Sequence, residues 1–197
     1  MSDNEFVLVK EKGWSAGFLN MLDKENARWW GRRNWVVQLV LWFLLLNMPV
    51  LFILYVNPYL PTSQGITYTT EMNAKLAAQV FFAISALYLP FGISILTHDS
   101  IIKEREQGTM AWILSKPVSR KSFILSKIMA NVAGVMILMV VVQGIITYGI
   151  ISAYNGNFIN AVNFFGALGI IALLSLFFLS MISMMGTMTT SRYAVLG

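Results

Sequence analysis

The chain has 197 residues, of which 57% are hydrophobic and 12% charged, with a formal net charge of +5 and no cysteine. A typical soluble domain has about 25% charged residues, so this composition excludes an ordinary soluble protein and indicates a membrane protein. The lack of cysteine excludes disulfides and thiolate metal sites within the sequence.

Charged residues are missing from three long stretches, at residues 34–70, 76–97 and 128–191. A bilayer core of about 30 Å requires about 20 apolar residues per helix. The runs lack the alternation that a membrane-spanning strand needs. We therefore predict an all-α, polytopic membrane helix bundle, with a transmembrane domain at 35–197 and four spans at about 35–55, 76–97, 128–154 and 162–185.

The N-terminal segment, residues 1–34, contains a second kind of helix signal. Apolar residues recur near helical spacing while polar residues fall largely between them, which predicts an interfacial amphipathic helix that lies on the inner membrane surface and ends near Gly31. An ordinary juxtamembrane anchor is the alternative. The candidate residues of this amphipathic segment are Trp14, Phe18, Leu22, Arg28 and Trp29.

Basic residues are distributed unevenly between the predicted spans. Six precede the first span, six lie between the second and third, Arg192 follows the fourth, and Lys75 alone lies near the loop between the first and second. With both termini in the cytoplasm, 13 of the 14 basic residues fall on the cytoplasmic side. The positive-inside rule favours this orientation. The positive charge then serves a membrane surface rather than nucleic acid.

The loop at 98–127 separates the second and third spans. Gly108 is a natural helix stop, Thr109 can cap a short helix at 109–114, and Ser119 can cap the helix that enters the third span. The short helix presents Met110 and Trp112, which are typical of protein interfaces. The alternative is a solvated loop that only fixes topology.

Polar residues within the spans are few and none is ionisable, which speaks against a proton-coupled carrier. A pathway along them would suit amphiphilic cargo, although the same side chains can bond neighbouring helices. Two pairs of small residues, Ala130 with Gly134 and Gly166 with Gly169, suggest close approach of the third and fourth spans. The candidate pathway residues are Gln79, Ser85, Asn131 and Gln143.

Catalytic motifs are absent from the sequence. It contains no phosphate-binding G-x-x-x-x-G-K-[ST], no H-E-x-x-H and no G-x-S-x-G. His98, the only histidine, fits an interfacial polar residue better than a metal ligand. We therefore expect no enzyme activity, no catalytic residue, no metal site and no cofactor bound by this chain.

The loop carries the ordered pattern E-x-E-x-G-T, then L-S-x-P-x-S-R and a lysine. With this pattern, the amphipathic segment and the order of the spans, nearly the whole chain resembles permeases of ABC transporters of the ABC-2 type, also called type V exporters. The residues that carry the pattern are Glu104, Glu106, Gly108, Thr109, Leu114, Ser115, Pro117, Ser119, Arg120 and Lys127.

The resemblance implies an exporter permease in the plasma membrane that works with a second permease copy, identical or not. It implies that the amphipathic segment is an elbow helix at about 15–30. It also implies a separate ABC ATPase, which binds ATP and Mg and docks on a coupling helix in the loop. The docking residues so implied are Glu104, Arg105, Glu106, Gly108, Thr109, Met110, Trp112 and Leu114.

The family normally has six spans, so the chain is apparently truncated after four, and residues 192–197 resemble the turn that opens a fifth. A different function is also compatible with the sequence. The chain could be a membrane anchor or assembly subunit that recruits a cytoplasmic partner without transport.

Overall fold

The computed structural model describes residues 13, 15–59, 69–97 and 118–188, without the side chains of 186–188. Every regular element in these ranges is a helix. They are α1 (Phe18–Trp30), α2 (Asn34–Tyr55), a 3-10 turn (Asn57–Tyr59), α3 (Thr70–Thr97), α4 (Arg120–Gly134), a π-helix (Val135–Val141), α5 (Val142–Asn155) and α6 (Ala161–Met188). The expected all-α class is confirmed.

Four helical segments are long and apolar enough to cross a membrane. They are Asn34–Tyr59, Thr70–Thr97, Arg120–Asn155 and Ala161–Met185. The four predicted spans are thus confirmed as helices. The second begins at Thr70 rather than Leu76 and the third at Arg120 rather than Ile128, because both helices extend into flanking charged sequence beyond the apolar stretch.

The third span occupies the centre of the bundle. Half of its most apolar stretch is buried by protein, against 28% in each of the other three spans. It contacts the first and second spans, which also pack on each other, and α6 packs along the second. Fully buried side chains such as Leu46, Phe81 and Met139 form the core. The remaining apolar faces suit contact with lipid.

The π-helix interrupts the third span at its middle, where α4 gives way to α5. Short π segments often occur at functional sites. The side chain of Gln143 donates a hydrogen bond to the carbonyl of Leu138 at 3.3 Å, and so satisfies a polar group inside the irregular segment.

The small residues pack differently from the expectation. The third and fourth spans do contact each other, but among the described residues nothing lies within 4 Å of the space that a Cβ at Gly166 or Gly169 would take, so the contact does not form at these two glycines. Gly134 instead faces the ring of Trp29 from α1. The third and fourth spans meet at Gly144, where the Leu168 side chain fills the space. At both Gly134 and Gly144, a large side chain from the neighbouring helix fills the space beside the glycine.

Candidate functional site at the elbow helix

Helix α1, the elbow helix, lies along the beginning of the third span. Lys127 Nζ donates a hydrogen bond to Glu25 Oε1 at 2.7 Å, and the two side chains are only 3% and 11% exposed. The ammonium also lies 5.2 Å from the centre of the Phe123 ring. Burying a charge is costly unless it is paired, so each of these ions requires the other. Lys127, counted above among the surface charges, is neutralised within the protein.

Trp29 provides the second contact between these helices. Its Nε1 donates to Asn131 Oδ1 at 3.1 Å, and its ring occupies the space beside Gly134. Glu25 and Trp29 are four residues apart on α1, and their partners follow the same helical spacing on α4. The two helices therefore match along one face, which we call the elbow interface.

The residues just before α1 contact the residues that lead into the third span. Ser119 N donates to the carbonyl of Ala16 at 3.2 Å, and Gly17 contacts the Val118 side chain. Gly17 has φ 72°, which favours glycine. Ser119 also caps α4, because its Oγ accepts a hydrogen bond from Ser122 N at 3.0 Å. The cap predicted at Ser119 is confirmed.

The other side of α1 contacts the second span. The guanidinium group of Arg28 donates a hydrogen bond to the carbonyl of Leu96, next to the last described residue of α3. The elbow helix therefore contacts the chain on both sides of residues 98–117.

The predicted docking residues all lie within 98–117, outside the described part of the chain, as does Trp14. Of the other elbow residues, Trp29 is buried, Phe18 and Leu22 are half-buried, and Arg28 is exposed. Leu19 and Trp30 are exposed apolar residues on the same helix. The buried face of α1 meets protein, and these exposed side chains are available to a membrane surface.

The four candidate pathway residues do not meet in one cavity. Gln79 lines a cleft of about 630 Å³ at the opposite end of the bundle, together with Asn155 and Asn163. Asn131 is bound to Trp29 in the elbow interface. Ser85 is buried, and its Oγ has no hydrogen-bond partner among the described residues.

Gln143, the fourth pathway residue, belongs to a polar network between the first and third spans. Its Oε1 accepts from Asn47 Nδ2 at 2.8 Å, and Thr147 Oγ1 donates to Asn47 Oδ1 at 2.7 Å. Gln143 Nε2 also donates to the carbonyl of Leu39 at 3.3 Å. Three fully buried polar side chains therefore satisfy one another beside the π-helix. Bonding between helices accounts for these side chains.

Sequence reasoning missed two members of these groups, Glu25 and Thr147. The sequence holds a general signal for a partner of α4, because Lys127 precedes an apolar span and shares a helix face with Ala130, Asn131 and Gly134. This signal does not single out Glu25, since any acid could pair with Lys127. Across the described ranges, no three His, Asp or Glu side chains meet in a way that could hold a metal ion.

Four membrane-crossing helices, with a short helix bound across the ends of two of them, define a multi-pass membrane protein. A family model described as ABC-2 family transporter protein matches residues 30–195, and the chain belongs to that family. The protein is therefore a permease subunit of an ABC transporter, a membrane transport component that generally works with an ABC ATPase. No curated protein and no solved structure matched the chain. The family match begins at Trp30, so the elbow interface adds residues that the match does not cover.

Proposed function

We propose that this permease subunit is part of an exporter in which a separate ATPase docks on the loop between the second and third spans. Of the range 98–127 predicted for that loop, residues 120–127 belong to α4. ATP and Mg bind to that ATPase, and its closure moves the spans of two permease copies between inward-facing and outward-facing states. The observation that supports this most is that α1 contacts both the second and the third span, on either side of residues 98–117.

Coupling requires that a force on the loop reaches the spans. Arg28 bonds to Leu96 of α3 at the surface, while Glu25 and Trp29 make buried contacts with the beginning of the third span. Because buried contacts resist gradual deformation, α1 moves with the third span as one body, and Arg28 links it to the second span. The elbow interface is therefore suited to pass motion of the loop into the bundle.

The orientation follows from charge. The elbow end of the bundle, where α1 lies, faces the cytoplasm of the proposed complex, because basic residues concentrate on the segments at that end. Both termini are then cytoplasmic, and the membrane is the plasma membrane. The opposite end, with the turn at 156–160, faces outward.

The cargo that best fits the bundle is amphiphilic. Apart from the Glu25–Lys127 pair in the elbow interface, the buried polar side chains carry amide and hydroxyl groups rather than charges. Asn47, Asn131 and Gln143 already bond to protein, whereas exposed Gln79 and the unbonded hydroxyl of Ser85 remain the candidate pathway residues on the second span.

The first test is association. The chain is purified from native membranes, and bound proteins are identified by mass spectrometry. We expect a protein with a phosphate-binding loop, and we expect its recovery to fall in Trp112→Ala and Glu106→Ala. Phe158→Ala, at an exposed position of the opposite end, is the matched control.

Two results would contradict the proposal. One is a partner without an ATPase motif, which would favour the membrane anchor or assembly subunit. The other is an ATPase that binds the loop variants as well as the parent chain, which would remove the docking assignment.

A further inference from the structure

A pocket of about 300 Å³ opens between the elbow helix and the first two spans. Arg28, Asn34 and Gln38 supply its polar groups, while Trp29, Val37 and Leu96 form its apolar wall. Arg28 and Asn34 are exposed, so the pocket is accessible from the outside of the bundle. The polar groups include a permanent positive charge.

Among the residues that the structure describes, the surroundings of this pocket are strongly basic. Arg32 and Arg33 follow in the turn between α1 and α2, and both are exposed. No acidic residue occurs in the sequence from 26 to 70. Of the two acids in α1, Glu25 is paired with Lys127, which leaves only Asp23. The local charge therefore favours an anion.

A shallow, open apolar groove continues from the pocket along one face of the first span. Side chains of that span alone line it, from Val36 to Leu45. It has a volume of about 670 Å³ and shares Val37 with the pocket. Its length is about 14 Å at 1.5 Å per helical residue, close to half of the roughly 30 Å hydrocarbon core. The groove therefore has the length of one acyl chain in one leaflet.

We propose that the pocket and the groove form one binding site for an anionic phospholipid. The phosphate contacts the guanidinium of Arg28, which has further N–H donors besides the one directed at Leu96. One acyl chain lies along Val37, Val40 and Leu44. A zwitterionic lipid should bind more weakly, because Arg32 and Arg33 repel the positive group of its head. The site is independent of the proposed export and of the direction in which the bundle faces.

The test is native mass spectrometry of the full chain in detergent, titrated with palmitoyl-oleoyl phosphatidylglycerol or with the phosphatidylcholine of the same acyl chains. One basic contact corresponds to about a fivefold change in affinity. We expect the first phosphatidylglycerol to bind at least about fivefold more tightly than phosphatidylcholine, and Arg28→Gln to lose about fivefold. The double variant Arg32→Gln with Arg33→Gln should also weaken phosphatidylglycerol binding. It is a second test of the charge, because neither residue bonds to α3 and the double variant leaves the Arg28–Leu96 contact in place.

The apolar part of the site has its own variant. Val37→Trp fills the junction between pocket and groove, and we expect it to weaken phosphatidylglycerol binding without removing any charge. Leu173→Trp, at an exposed position of α6, is the matched control and should bind as the parent does. Lys75→Gln, an exposed basic residue at the opposite end, should also bind as the parent does.

Three results would overturn the proposal. The first is equal binding of the two lipids by the parent chain. The second is full phosphatidylglycerol binding in Val37→Trp, which would leave a surface charge effect and no groove. The third is displacement of the lipid by millimolar inorganic phosphate, which would mean that the pocket binds anions without an acyl chain.

Discussion

Lys127 donates a hydrogen bond to Glu25 over 2.7 Å, although the two residues are 102 positions apart in the sequence. The pair joins the elbow helix to the helix that follows the proposed docking loop. It is also the most deeply buried ion pair among the described residues. Its energetic role can therefore be measured by removing one partner.

Glu25→Gln should lower the free energy of unfolding by about 3–5 kcal/mol, because it removes the carboxylate that pairs with the buried ammonium of Lys127. Denaturant titration in mixed micelles measures the change. Glu71→Gln is the control, since Glu71 and Lys75 pair with both side chains 72% exposed. It should cost no more than about 1 kcal/mol. Equal effects of the two variants would show that Glu25 is not an energetically important contact.

Gly134→Leu should destabilise the protein by about 1–3 kcal/mol, because the Trp29 ring must move to admit the new side chain. Thermal unfolding in detergent measures the loss. Gly149→Ala is the control, because nothing lies within 4 Å of its missing Cβ. The free energy of unfolding of Gly149→Ala should rise by about 0.5–1 kcal/mol, because alanine has a higher helix propensity than glycine. Equal stability of the parent and Gly134→Leu would disprove the close packing of Trp29.

The polar network between the first and third spans predicts coupling between Asn47 and Thr147. A double-mutant cycle of Asn47→Leu and Thr147→Val should give an interaction energy of about 0.6–1.7 kcal/mol, the range for hydrogen bonds between membrane helices. Gln79→Leu replaces Thr147→Val in the control cycle, because exposed Gln79 does not belong to the network. The control should be additive within about 0.5 kcal/mol. Additivity in both cycles would contradict the network.

The orientation can be read by labelling, because the chain has no cysteine and single cysteines are therefore specific. Phe158→Cys, at a position 86% exposed, should react with a membrane-impermeant maleimide on intact cells. Ser15→Cys and Trp112→Cys should react only after permeabilisation. Labelling of Trp112→Cys on intact cells would reverse the proposed topology.

The spans could be predicted from the sequence because membrane insertion depends on local composition. Each apolar residue contributes independently of what it later contacts, so residues such as Leu46 and Leu179 indicate a span before any fold is known. The cap at Ser119 could be predicted for the same reason, since its partner is only three residues away.

The contacts that form the candidate site could not be predicted in this way. Lys127 shows no preference for Glu25 over the other acids until the helices are packed, and Gly166 has the same composition signal as Gly134 although only Gly134 accepts a ring. The π-helix lies in the uniformly apolar Val135–Val141, where no residue marks the change of hydrogen bonding. These features depend on tertiary contacts.

The most direct measurement is ATP hydrolysis by the complex, purified from native membranes and placed in lipid vesicles. We expect Trp112→Ala to lower the rate to that of the isolated ATPase, because the docking contact is lost. Glu25→Gln, assayed below its unfolding temperature, should keep the ATPase bound yet lose the increase in rate that the permease confers. Phe158→Ala should hydrolyse ATP as the parent complex does. Identical rates in all four complexes would contradict coupling through the loop and the elbow interface.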